Sequence, residues 1–366
     1  MNAHCSWTPK IRISSWLIAL GLLVLAPTAQ ALTTLCVSNS TELRSALLNN
    51  ASDTLDIRVR SGVYLAGGQQ FPFRALDRIA TLSGGWSGAA GQCTTQSQNP
   101  AATLLDAQGS SSALQMEPVV GATSGALFLS NLSLTGGSSD FGGCLFVDFR
   151  QGSFTVVIDR IIVSGCQGSN LFGSAGGAYI RNWSASNITL RNSLISNNQG
   201  HTAGGVTVNS DHVDARTFLT NNTIVANAST FAPGAGGFSP PTQEATVGII
   251  TLRNNAIVGN QAFGNPVDLS FGQGPASSHV LRNNAVQVIN GAANTNSQGT
   301  LVTSAPGFVG GGQYQLASQS PLRDAGIALT VGEAGARDLD FGVRVQGGAI
   351  DIGAYEFDGL FGNGFE

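Results

Sequence analysis

The chain has 366 residues, 42% of them apolar and only 10% charged, with 48 glycines and a formal charge of −4. Charged residues usually make up about 25% of a chain, and disorder needs low hydrophobicity with high net charge, so this composition excludes a disordered polymer. It also argues against helical bundles, whose surfaces need Lys, Glu and Arg, and it offers no basic face for nucleic acid.

At the N-terminus, Lys10 and Arg12 precede an apolar run over residues 16–26, and Ala29-Gln30-Ala31 supplies the small-x-small pattern that a signal peptidase accepts. The run is shorter than the ~20 residues a membrane span needs. Residues 1–31 are therefore expected to be a signal peptide cleaved after Ala31. The product is expected to be secreted or held at the cell surface or outer membrane, with no transmembrane span after cleavage. Cleavage removes Cys5 and Lys10, the only lysine. Four cysteines remain, Cys36, Cys93, Cys144 and Cys166, an even number for an oxidising compartment. Of three possible pairings, Cys36–Cys93 with Cys144–Cys166 is favoured, and the spacing does not suit zinc.

The middle of the chain repeats itself. "ITLRNSLISNNQ" at 188–199 and "ITLRNNAIVGNQ" at 250–261 agree at eight of twelve positions, with a blurred copy, "FLTNNTIVANAS", at 218–229. Anchoring on the asparagine gives Asn131, Arg160, Asn192, Asn222, Asn254 and Asn283, spaced 29, 32, 30, 32 and 29 residues apart. A near-constant period of this size marks a stacked architecture, in which each unit buries its apolar face only against its neighbours. The units hold short β-branched runs broken by Gly, Asn and Ser, with no ten-residue helical stretch. The reading is an all-β parallel β-helix, a solenoid with coils of about 30 residues. Gly142-Gly143, Gly176-Gly177, Gly204-Gly205 and Gly236-Gly237 supply a second landmark in each coil. Asn131, Asn192, Asn222, Asn254 and Asn283 are expected to stack as a structural ladder, with a register open by one residue because Asn255 also fits. Cys144 and Cys166 lie 22 residues apart, and adjacent coils bring facing positions within disulfide reach.

Three segments resemble secreted bacterial right-handed β-helix proteins of the pectin-lyase-like superfamily that carry a choice-of-anchor Q domain. Residues 35–64 are similar to their opening, which implies an N-terminal helical cap ("TELRSALL") and a first strand ending at a G-x-Y turn. Residues 82–109 resemble the family's Gly-rich turn, Cys and T-x-L-D coil. "SQSPLRDAG" at 318–326 and "GGAIDIGAYEF" at 347–357 resemble its closing module. "GGAY" at 176–179 is also similar to repeats of polymorphic outer-membrane proteins and adhesins. The resemblance implies one right-handed β-helical domain over residues 32–357, a short terminal tail over 358–366, and export by a Gram-negative bacterium. It implies no particular chemistry, because function lies in sites carried on a fold.

Candidate chemistry gathers after the Gly-Gly strand. "NSDHVDAR" at 209–216 offers Asp211, His212, Asp214 and Arg216; earlier coils offer Asp148 with Arg150 and Arg181 with Trp183, and the next offers Glu244. Stacking would align them along one edge, with rungs about 4.8 Å apart. Carboxylates two rungs apart could approach the ~5–9 Å used by glycosidases. Asp148, Asp211, Asp214, His212 and Arg181 are the catalytic candidates; Trp183, Arg150, Arg181 and Asp211 are the ligand contacts, with the indole stacking on a sugar. A lysine base is excluded in the cleaved chain. A second acidic group, Asp324, Asp338, Asp340, Asp351 and Glu356, includes a D-x-D at Asp338 and Asp340 that suits calcium without the full twelve-residue loop. Its structural alternative is pairing with Arg323, Arg337 or Arg344 while sealing the final coil. Residues 270–279 fit either a projecting loop or a coil. The expected role is lateral, adhesin-like binding of an extracellular polysaccharide or host-surface polymer without catalysis; the competing expectation is a polysaccharide lyase or glycoside hydrolase.

Overall fold

A residue that turns the chain with positive φ recurs once per coil and sets the architecture. In the computed structural model, which describes residues 32–49, 54–170, 173–241, 247–272 and 276–358, Asn131, Arg160, Asn192, Asn221, Asn254 and Asn283 adopt φ between 47° and 56°. Asn reaches this left-handed region at low cost, which explains its recurrence. Residues 1–31, where a signal peptide is expected, Glu244 and residues 359–366 lie outside the described residues. Around these corners the chain winds a parallel β-solenoid of about 8 turns, 47% strand and 6% helix. Among the described residues no helix is long and apolar enough to cross a membrane.

Each coil contributes to three walls. The first stacks Asn187–Arg191, Arg216–Thr220, Ile249–Arg253 and His279–Arg282 in parallel register. After the corner, the second stacks Leu194–Ser196, Thr223–Val225, Ala256–Val258 and Ala285–Val286. The third stacks Phe71–Ala75, Leu114–Pro118, Leu145–Phe149, Ala178–Asn182 and Val206–Ser210. Alternation sends every second residue inward, so like residues superpose: Ile158, Leu190, Leu219, Leu252 and Leu281 form one fully buried column, and Ile195, Ile224, Ile257 and Val286 another. Each such side chain contributes about 1.5–3 kcal/mol by leaving water. The glycine pairs precede the third wall where coils approach most closely: a Cβ on Gly205 would lie 2.5 Å from the Gly237 carbonyl.

The helix Ser40–Leu47 begins at Asn39, whose side chain accepts the Glu42 N–H, and it buries Leu43, Ala46 and Leu47 in the core. Two disulfides, Cys36–Cys93 and Cys144–Cys166, have Cα separations of 5.6 and 5.5 Å. Leu269–Ser270 pairs with Ile289–Asn290, and Phe271 and His279 are buried, so the described part of 270–279 belongs to a coil.

Two expectations need correction. Asn222 is not the corner residue of its coil; Asn221 is, because "NN" offers two candidates and pairing sets Thr220 opposite Arg253 and Thr223 opposite Ala256. The amide ladder lies one residue further on and faces inward. The Ser193 N–H donates to Asn222 Oδ1 (3.1 Å), Asn222 Nδ2 to Asn255 Oδ1 (2.9 Å) and Asn255 Nδ2 to Asn284 Oδ1 (2.9 Å). Each Nδ2 also reaches a backbone carbonyl of the preceding coil: Leu190, Leu219 and Leu252. A second row runs from the Cys166 N–H through Asn198, Asn227 and Asn260 to Asp268, with side-chain links of 3.0 Å. Asp268 ends it because a carboxylate only accepts; its other oxygen takes the Gln287 and Val288 N–H groups.

Secondly, the closing module is not confined to the last coil. It runs as a strap along the outside of the corner and second wall. Asn283 donates to the Ala325 carbonyl (3.0 Å), Asn254 exchanges bonds with Ile327 (2.9 and 3.0 Å), and Asn192 donates to the Ala334 carbonyl (2.7 Å). Beneath it, Leu194, Val225, Ala256 and Val258 pack against Leu322, Leu339, Ile352, Ala354 and Tyr355. The outward Leu194, Val225, Ala256 and Val258 are apolar for this reason, while the outward Thr223 accepts the Ala354 N–H of the strap.

Candidate functional site

Outward positions of the third wall form two neighbouring rows. Register places Pro72, Gln115, Phe146, Tyr179 and Thr207 in one, and Arg74, Glu117, Asp148, Arg181 and Asn209 in the other. Trp183 and Asp211 follow their strands by one residue, and their N–H groups bond the Phe149 and Asn182 carbonyls. Asp148 and Asp211 thus sit in different rows and face different surroundings.

Asp148 is nearly buried and neutralised twice. Arg150 meets it at 2.9 Å and Arg181 at 3.2 Å. The Arg181 guanidinium lies 4.5 Å from the Phe141 ring centroid, 4.9 Å from Trp183, 5.4 Å from Phe146 and 5.5 Å from Tyr179. Arg150 lies 5.7 Å from Trp183. Aromatic faces carry negative potential, so this cage holds Arg181 as a fixed cation, and the cation holds Asp148 as an acceptor. Both oxygens of this carboxylate are engaged by guanidinium donors. Arg181 Nε and Trp183 Nε1 are buried donors without a partner.

Asp211 and Asp214 are exposed, and His212 uses Nδ1 to accept the Asp214 N–H at 3.1 Å. The imidazole therefore shapes a turn. Arg216 donates to the Val213 and Ala215 carbonyls of the same turn. His212, Asp214 and Arg216 thus belong to the turn, while Asp211 continues the strand register on the rung next to Trp183.

Next to that cage opens a cleft of about 450 Å³. Phe141 and Phe146 stack along it at 4.9 Å with planes 12° apart. Its other lining is hydroxyl and amide, from Ser111, Ser139, Gln70 and Gln115, with Asp140 the one carboxylate. Gln70 donates to Gln115, and Gln115 donates to Glu117 at 2.7 Å, which orients the amides. Phe141, Phe146, Tyr179, Gln115 and Glu117 were missed in the sequence, although the alternation in "LFVDF" and "AYIRN" sets Phe146 with Asp148 and Tyr179 with Arg181 on the outer side.

In the strap, Arg344 is fully enclosed among acids. It pairs with Glu356 at 3.4 Å and donates to the Gly353 and Ala354 carbonyls. Asp351 accepts the Asp324 and Phe357 N–H groups, both at 2.6 Å, and Asp338 accepts the Glu356 N–H at 2.8 Å. Burial pushes Glu356 up to about 8, partly offset by Arg344, and raises Asp338 and Asp351 as well. Arg323 stacks on Phe357 at 3.9 Å and Arg337 on Phe341 at 5.0 Å. Asp340 is exposed and accepts from Gln315 at 3.0 Å, so the D-x-D carboxylates have different surroundings. Among the described residues no three His, Cys, Asp or Glu side chains gather as a calcium site would require.

Comparison with protein-family models, with curated proteins and with solved structures finds no match to this chain.

Proposed function

We propose that this solenoid binds an extracellular polysaccharide along its third wall, in the cleft beside Phe141 and Phe146, without cleaving it. The observation that carries the reading is the composition of that cleft: a stacked aromatic pair beside hydroxyls and oriented amides, with a single carboxylate. Sugar rings present apolar faces and a fringe of hydroxyls, and this lining complements both. In the same reading the solenoid is right-handed, belongs with pectin-lyase-like proteins of the choice-of-anchor Q type, and reaches the cell surface or outer membrane after losing its leader. Support for those points is the sequence resemblance of residues 35–357.

The lyase or hydrolase alternative draws on Glu117 and Asp148, carboxylates on adjacent rungs of one row. Against it, Arg74 pairs with Glu117 at 3.3 Å and two arginines hold Asp148, which leaves neither as an unengaged base. The test is co-sedimentation of the purified protein with neutral and uronate-containing polysaccharides, alongside an assay for new reducing ends and unsaturated products. Binding without products is expected, reduced at least tenfold by Phe141→Ala and unchanged by Asp211→Ala. Product formation abolished by Glu117→Gln would replace this reading with the enzymatic one.

A further inference from the structure

Aromatic rings recur at the corner that leads into the third wall. A short wall precedes that corner and stacks Ser138–Ser139, Gln167–Gly168, Gln199–Gly200, Ala228–Ser229 and Gln261–Ala262 in parallel. The chain re-enters register beyond it, where Gly142, Ala175, Ala203 and Ala235 bridge in turn. Phe141, His201, Phe231 and Phe263 follow the short wall by one or two residues in their own coils, so they line the same edge of the solenoid. His201 and Phe231, on adjacent rungs, stack at 4.6 Å with planes 20° apart, a second near-parallel pair on the corner that carries Phe141 and Phe146. Burial lowers the pKa of His201, so near neutral pH its ring is an uncharged plane.

Phe263 is the most telling member of the row. With Gly264 it makes the two-residue turn that joins Gln261–Ala262 to its antiparallel partner Asn265–Pro266, at φ of 49° and 78°. Such turns favour Asn-Gly or Asp-Gly, because other residues with a Cβ are strained at positive φ. Phenylalanine is held there instead, and its side chain is 71% exposed. Strain in the backbone and a large apolar ring left in water are both unfavourable, a combination that marks a position serving contact with something outside the fold. Ser139, Gly168, Gly200, Ser229 and Ala262 occupy successive rungs, so Phe141 and Phe263 lie four rungs apart, roughly 19 Å. Residues 139–142, 200–203, 229–235 and 262–267 include no Arg or Lys, and Asp140 is their one acid.

We infer that the polysaccharide site continues along this corner from Phe141 to Phe263 and takes a neutral chain of equatorially linked pyranoses. The inference rests on polysaccharide binding in the cleft beside Phe141. Equatorial linkage keeps the C–H faces of successive sugars open along an extended chain, and those faces stack on Phe141, on the His201–Phe231 pair and on Phe263. A uronate polymer would bring a carboxylate with every ring to loops that hold no cation and already carry Asp140, which disfavours it. A disaccharide reaches one of these platforms, whereas a longer chain reaches them all at once.

The test is affinity electrophoresis of the full chain in gels holding glucomannan, arabinoxylan or polygalacturonate, with calorimetry on mannohexaose, xylohexaose and the matching disaccharides. Retardation by a neutral polymer and not by polygalacturonate is expected, with the hexasaccharide bound at least tenfold more tightly than the disaccharide. Phe231→Ala and Phe263→Gly should each weaken hexasaccharide binding about fivefold. Glycine suits the turn at Phe263, so Phe263→Gly should leave the thermal unfolding midpoint unchanged or raised, which separates a lost contact from a lost fold. Retardation removed by Phe141→Ala but untouched in Phe231→Ala and Phe263→Gly would overturn the extension and leave the cleft standing. Preference for polygalacturonate, or equal affinity for hexasaccharide and disaccharide, would overturn it as well. Retardation by none of the polymers would remove the cleft reading and this one together.

Discussion

Two rows of buried polar groups stand back to back at one corner of the solenoid. Inside, Asn222, Asn255 and Asn284 form a neutral chain in which every amide both gives and receives. Outside, within the strap, Arg344 shares one positive charge among Glu356, Asp338 and Asp351. Both exclude water, but they meet the cost of burial differently. The inner row satisfies each group through repetition, whereas the outer cluster balances charges only once and only within limits of pH. Repetition makes a polar interior insensitive to acidity, and a singular ion cluster makes its neighbourhood responsive to it.

The largest break in that contrast is expected from Arg344→Ala. Removing the only cation among buried acids should destabilise the strap by about 3–5 kcal/mol. Amide exchange at Ile327 and Gly353, whose N–H groups bond Asn254, should accelerate while the column of Leu190 and Leu219 stays protected.

Acidity should sharpen the same contrast. Glu356 is raised from 4.5 to about 8, so the folded strap binds a proton that the unfolded chain releases near 4.5. Its contribution is fully present below pH 4.5 and is lost as pH rises towards 8. Strap protection measured by exchange, corrected for intrinsic rates, should fall across that window, and Glu356→Gln should flatten the fall. A slope unchanged in that variant would place the titration elsewhere.

Smaller effects separate two adjacent asparagines. Asn222→Ala strands the Ser193 N–H and removes the side-chain bonds to the Leu190 carbonyl and Asn255 Oδ1, the latter keeping the backbone N–H of residue 222, and should cost about 1–3 kcal/mol in chemical denaturation. Asn221→Gly should change stability by less than about 0.5 kcal/mol, because glycine accepts φ of 52° and neither side-chain atom of Asn221 has a partner. Equal losses in the pair would dissolve the distinction between inward and outward rows.

The rung was legible because a backbone turn with positive φ admits few residues, so Asn131, Asn192, Asn254 and Asn283 announce it. The slip at Asn221 has the same origin: where two asparagines adjoin, composition cannot say which one turns. Cysteine spacing supported Cys144–Cys166, 22 residues apart on neighbouring rungs, whereas Cys36–Cys93, 57 residues apart, had no such argument. The candidate site was half visible. Asp148, Arg150, Arg181 and Trp183 stand out as charged or aromatic residues, but their mutual pairing depends on register across coils, and Phe141 joins from a loop. The strap's course was hidden because its anchors are remote, as when the Ala354 N–H finds Thr223 Oγ1 at 3.0 Å, 131 residues away. No local pattern encodes such a contact.

The row from Cys166 to Asp268 has a direction as well as a length. Every interior member passes its hydrogen bonds onward unchanged, so the coil bearing Asn227 can be duplicated in tandem without creating an unmet donor. Asp268 offers nothing to pass on. It works as a full stop for this row alone, since the first and second walls run on past it through Asn296–Gln298 and Leu301–Val302.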